Sequence, residues 1–153
     1  IHKALRAVMG DTLFALGRAD PTDEAEVRDA CDRVVELMEM CERHVEHENR
    51  FVHAALQARC PGVCDAVAHE HEDHLRHTAR LSVAARALAS VPTAERASAL
   101  HALYLAVALF VAENFAHMHA EETQHNAALW ATYNDFELLA IHDELVASIP
   151  PQE

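Results

Sequence analysis

The chain has 153 residues, with 25 acidic against 12 basic side chains and a formal net charge of −13. That length suits one domain with a sizeable core, so residues 1–153 are expected to fold as a single unit. The charge excludes a nucleic-acid binder, whose partner's phosphates demand a basic surface, and is compatible with cation binding.

Thirteen histidines are the compositional outlier. Only three glycines and five prolines interrupt a chain dominated by Ala, Leu, Glu and Arg, which favour helix. Strand-like alternation is absent, so the expected fold class is all-α. No uninterrupted apolar run reaches the roughly 20 residues of a bilayer span, and no membrane partner is expected. No secretory signal is visible, which makes the cytoplasm the expected location. The chain opens on Ile1 rather than Met, leaving room for residues upstream. Cys31, Cys41, Cys60 and Cys64 fit a reduced compartment. Cys31 and Cys41 are expected to fill core space. Cys60 and Cys64 flank a turn.

The first helix is expected from about Ile1 to Gly17, with Leu5, Met9, Leu13 and Leu16 as its apolar stripe and His2 one turn earlier. The linker 18–23 has turn chemistry, and Thr22 or Asp23 is the expected N-cap. The second helix runs from about Asp23 to Arg59, ending at Cys60-Pro61-Gly62. Its a/d stripe is Val34, Leu37, Cys41, His44, Glu48, Phe51 and Ala55. His44 and Glu48 stand four apart, one above the other on the face that should be core.

The third helix is expected from about Val63 to Ser90, stopped before Pro92. Its stripe is Val67, His71, His74, Thr78, Leu81, Ala85 and Leu88. The fourth runs from about Thr93, as N-cap, to Tyr133. Leu103, Val107, Phe110, Asn114, His117, Glu121 and Gln124 form its stripe, and His117 with Glu121 repeats the spacing of His44 with Glu48. A short helix, Asp135 to Ser148, follows a break at Asn134. His47, His53, His69, His77, His101, His119, His125 and His142 fall off the stripes and are expected at the surface.

Four long amphipathic helices with short connections point to an up-down-up-down four-helix bundle with a short extra C-terminal helix. Each inner stripe then carries metal-competent groups: His2, His44 and Glu48, His71 and His74, His117 and Glu121. Five imidazoles and two carboxylates in one layer would be left unpaired without a cation, and a buried lone carboxylate costs several kcal/mol. The mixed nitrogen and oxygen donors suit iron, manganese or zinc rather than calcium or magnesium. Seven ligands exceed the four of one tetrahedral zinc, so two ions are expected, with carboxylates as bridges.

His2-Lys3-Ala4-Leu5-Arg6, His44-x-x-x-Glu48, Glu70-His71 and His117-x-x-x-Glu121-Glu122 resemble the hemerythrin-like, or HHE cation-binding, family. The segment from Leu129-Trp130 to Tyr133 and on to Pro151 resembles the C-terminal part of its bacterial members. The resemblance implies a four-helix bundle around two non-haem irons. In the oxygen carriers of that family, five histidines and two bridging carboxylates hold the irons, and one iron keeps a position for dioxygen. Carried over by motif, His2, His44, His71, His74 and His117 would be the histidine ligands and Glu48 and Glu121 the bridges. Oxygen carriers space the third-helix histidines by four and the last carboxylate by five, which would select Glu122. Here the spacings are three and four, nearer to members that sense iron, oxygen, nitric oxide or redox state. The expected ligand is therefore dioxygen, nitric oxide, peroxide or iron itself. A di-iron enzyme acting on oxygen, peroxide or nitric oxide, an iron donor in iron–sulfur repair, and a structural or buffering zinc protein are the alternatives.

Overall fold

The computed structural model describes residues 1–63 and 65–149. Within them the protein is all-helical, with no strand. Helices α1 (His2–Arg18) and α2 (Glu24–His47) are joined by a tight linker. Asp23 is the N-cap of α2: its Oδ1 accepts from the Ala25 and Glu26 amides at 2.8 and 3.2 Å, while Thr22 turns instead to Asp20.

Helix α2 passes without a break into a π turn, Glu48–His53, and then into α3 (Ala54–Arg59). Gly62, at φ 89°, makes the turn beyond Cys60 in the left-handed region that glycine tolerates. Cys64 lies outside the described residues, so its expected place in that turn does too. Helix α4 (Asp65–Leu88) is followed by α5 (Thr93–Ala120). Thr93 is already helical. The carbonyl of Pro92 closes the first turn by accepting from Glu95 and Arg96. A second π turn, Glu121–His125, links α5 to α6 (Asn126–Thr132). Asn134 then caps α7 (Asp135–Ser148) through a capping box with Glu137.

The helical run Thr93–Thr132 is long and apolar enough to cross a membrane by length and composition alone, with a mean hydropathy of 1.6 in a window that is 33% buried. It is not an uninterrupted apolar run, because isolated polar residues punctuate the Ala-, Leu- and Val-rich stretch. It also carries Asn114, His117 and Glu121, all buried.

The chain divides into two compact units built from alternate stretches: 1–42 with 73–116, and 43–72 with 117–153. In the first, Leu5, Met9 and Leu16 of α1, Val34, Leu37 and Met38 of α2, Leu81 and Ala85 of α4, and Leu103, Val107 and Phe110 of α5 are buried. Gly17 lets α1 approach α5, since a Cβ there would meet the Tyr104 ring at 3.0 Å. Two polar groups in this core are bonded within it. Thr78 donates to Glu42 at 2.8 Å, and the Asn114 amide donates to the Phe110 carbonyl at 2.8 Å. Cys31 and Cys41 are buried, as expected. Burial pushes their thiols up to about 11 and about 12, which makes them inert fillers.

In the second unit a polar clamp ties α3 to the chain around α6 and α7. The Arg59 guanidinium donates to the Thr132 carbonyl at 2.6 Å and to the Glu137 carboxylate, and lies 3.7 Å over the Tyr133 ring. The Tyr133 hydroxyl donates to the Ala55 carbonyl at 2.8 Å. The buried side chains of this unit include imidazoles and carboxylates: Glu48, His53, His71, His117, Glu121 and His125.

Candidate metal centre

The two π turns decide which side chains reach the interior of the second unit. An α-helix advances by 3.6 residues per turn; a π turn takes more residues for the same rotation. Continued α-helix would carry the inner stripe from Glu48 to Phe51 and from Glu121 to Gln124 or, four residues on, His125. The wider turns beginning at Glu48 and Glu121 rotate it onto His53 and His125. His53 is 7% exposed and His125 2%, while Gln124 is exposed. The expectation that these two histidines are solvated is therefore overturned. Nothing in the hydrophobic period announced the turns. The other off-stripe histidines are exposed or half-exposed.

Glu48, His71, His117 and Glu121 form the centre of the cluster, each offering a ligand atom within 4.8 Å of the others, all four buried. His71 Nδ1 lies 2.8 Å from Asn49 Oδ1, and His117 Nδ1 lies 2.8 Å from Glu70 Oε2. Both partners are acceptors, so both Nδ1 atoms donate. The Nε2 atoms are thereby turned inward, where they meet at 2.9 Å. With both Nδ1–H groups engaged, a hydrogen bond between the Nε2 atoms would need one further proton on the pair.

Carboxylates surround that pair. His71 Nε2 is 3.5 Å from Glu48 Oε2 and 3.5 Å from Glu121 Oε1, and His117 Nε2 is 3.3 Å from the same Glu121 oxygen. The other oxygen of Glu48, Oε1, lies 3.3 Å from His44 Nε2. Glu48 thus presents its two oxygens to two different imidazoles, the disposition of a bridge. His44, Glu48 and Glu121 form a second group of ligand atoms within 4.8 Å of one another.

These spacings fit a cation. Two donors about 2.1 Å from one ion sit roughly 3.0 to 3.4 Å apart at right or tetrahedral angles. The second ring nitrogen of a metal-bound histidine ordinarily donates to a carboxylate or carbonyl, the role Glu70 and Asn49 fill here. The buried His and Glu groups can therefore hold a metal ion.

The electrostatics divide the four central imidazoles into two kinds. Burial lowers the pKa of each. At His71 the facing Glu121 and Glu48 overcome burial and lift it from 6.5 to about 9. His117 is raised against burial too, by Glu121 and then Glu70. For His53 burial wins, helped by the charges of His71 and His125, and its pKa falls to about 4. His125 is lowered chiefly by burial. Burial would raise the Glu121 carboxyl, yet the hydrogen bonds from His117 and His71 hold it well below the usual carboxylate range.

Of the expected ligands, the second unit brings together His44, Glu48, His71, His117 and Glu121. Glu122 is half-exposed, whereas Glu121 is 5% exposed and central. His2 opens α1 in the first unit and is half-buried. His74 is buried in that unit, edge-on to Phe110 with ring centroids 6.2 Å apart. Glu70, next to His71 in the sequence, turns to His117.

No protein-family model, curated protein or solved structure matches the chain.

Proposed function

We propose that the cluster is a non-haem di-iron centre of the hemerythrin-like type, and that the protein binds or senses dioxygen or a related small ligand such as nitric oxide or peroxide. The observation that carries this reading is the orientation of His71 and His117. Each spends its Nδ1 on an outer acceptor and directs Nε2 at the carboxylates. Such an arrangement supports coordination better than a structural ion pair, which has no need of outer acceptors.

In this reading His44, Glu48, His71, His117 and Glu121 would hold two ions. His2 and His74 complete the proposed ligand set. The proposed architecture is the up-down-up-down four-helix bundle, with α7 as the short extra helix. Iron held there would supply the redox chemistry needed to bind dioxygen. The residues hold the ions, keep bulk water out and fix the imidazole rings. Occupation by a cation would displace any proton shared by the two Nε2 atoms.

Reconstitution with ferrous iron under argon, followed by air, is expected to give two irons per chain and a near-ultraviolet charge-transfer band. A colourless protein holding one equivalent would overturn the proposal. Metal analysis of protein from iron-supplemented cells separates iron from zinc, which the same donors can hold. Steady consumption of peroxide or nitric oxide by the loaded protein would mark it as an enzyme.

A further inference from the structure

The di-iron reading leaves two buried histidines without a task. His53 Nε2 and both ring nitrogens of His125 have no hydrogen-bond partner among the described residues. Both side chains are more than nine-tenths buried, so these nitrogens have exchanged water for nothing, a costly state for a polar group. Ligand atoms of His53, Glu121 and His125 also lie within 4.8 Å of one another.

His53 cannot complete the coordination of the ion that His71 would hold. The two rings are stacked, with centroids 4.7 Å apart and planes within 4° of parallel. An imidazole donates its lone pair in the plane of its ring. An ion in the plane of His71 is therefore displaced from the plane of His53 by the spacing of the stack. His125, in contrast, stands nearly perpendicular to His53, at 84° with centroids 5.3 Å apart. Two rings so disposed can point their lone pairs at a common point.

We infer that His53, His125 and Glu121 form a third cation subsite, for a divalent transition ion, beside the Glu48–His71–His117 cluster. Two imidazoles and one carboxylate make a three-ligand set that leaves positions open for water or a small ligand. Glu121 is common to both sites, one oxygen already facing His71 and His117. The subsite rests on that carboxylate but not on the identity of the ions beside it. The π turns at Glu48 and Glu121 bring His53 and His125 to the same interior, each from its own helical run.

The test is equilibrium dialysis of the full chain against cobalt(II) alone, counting ions per chain and recording the visible d–d spectrum. A double variant, His53→Gln with His125→Gln, should bind one cobalt ion fewer than the parent and lose one component of the spectrum. The double variant His71→Gln with His117→Gln should keep the ion at His53 and His125. Equal loading of the His53/His125 variant and the parent overturns the third subsite. Unchanged loading of the His71/His117 variant, with loss in the other, overturns the di-iron reading but upholds the subsite. Far-ultraviolet circular dichroism checks that each variant is folded. If either double variant is unfolded, the single replacement His125→Gln decides by the same loss of one ion or none.

Discussion

The two units apply one helical pattern to opposite ends. Along α2 the stripe Val34, Leu37 and Cys41 packs an apolar interior in the first unit; over the next two turns the same stripe delivers His44 and Glu48 in the second. Along α5 the change falls between Phe110 and His117. In the first unit the polar groups Thr78 and Asn114 find partners within that unit, in Glu42 and the Phe110 carbonyl. In the second, imidazoles and carboxylates face one another, and two buried histidines have nitrogens that no described residue satisfies. The difference teaches that burial by itself is not the signal of function. A buried polar group with partners stabilises one fold, whereas a set of convergent donors needs something that the chain does not supply.

The sharpest way to break the comparison is to remove Glu121, which faces His71 and His117 and shares a group with His44 and another with His53. Glu121→Ala should weaken metal binding by well over the roughly 10–100-fold that an outer-shell change costs, as measured by metal content after dialysis. Retention of the parent's ion count would remove Glu121 from the ligands. The matching change in the first unit is Leu37→Ala, at a fully buried position. It should cost about 2–5 kcal/mol in denaturant unfolding and leave the number of bound ions unaltered.

Glu70→Gln is subtler. It keeps an acceptor near His117 Nδ1 but removes the charge, and should lower metal affinity roughly tenfold without changing stoichiometry. Competition against a chromophoric chelator would measure it, and an unchanged affinity would leave Glu70 as a surface residue that happens to touch the ring.

The smallest effect is the pH profile of the metal-free protein. His71 is raised from 6.5 to about 9, so its contribution is complete below pH 6.5 and is lost as pH rises towards 9. His53 is lowered from 6.5 to about 4, so its contribution is complete above pH 6.5 and is lost as pH falls towards 4. Glu121, also lowered, adds to the acid flank. Thermal unfolding followed by circular dichroism should therefore peak near pH 6.5 without metal. Metal affinity should still climb from pH 6.5 towards 9, because the ion displaces protons from His71 and His117. A flat affinity over that range would mean that neither imidazole is a ligand.

Much of this was written in the residues themselves. Helix boundaries followed from Asp23, Pro61-Gly62, Pro92 and Asn134, because caps and breakers act locally. His44 with Glu48 and His117 with Glu121 were legible because spacing four repeats on any α-helix. The resemblance to hemerythrin-like proteins rests on the same motifs. His53 was not legible, and His125, four residues after Glu121, was hidden behind the heptad stripe that selected Gln124. Periodicity assumes a constant turn, and two π turns broke that constancy at the glutamates. The partnership of Glu70 with His117, across 47 residues, was hidden for a related reason. A side chain's nearest neighbour along its own helix is set by the chain, but its neighbour on another helix is set by packing. Sequence thus determined that these helices would carry imidazoles and carboxylates on their inner faces. Tertiary structure alone decided which of those groups converge, because convergence depends on helix phase, and a single widened turn changes that phase.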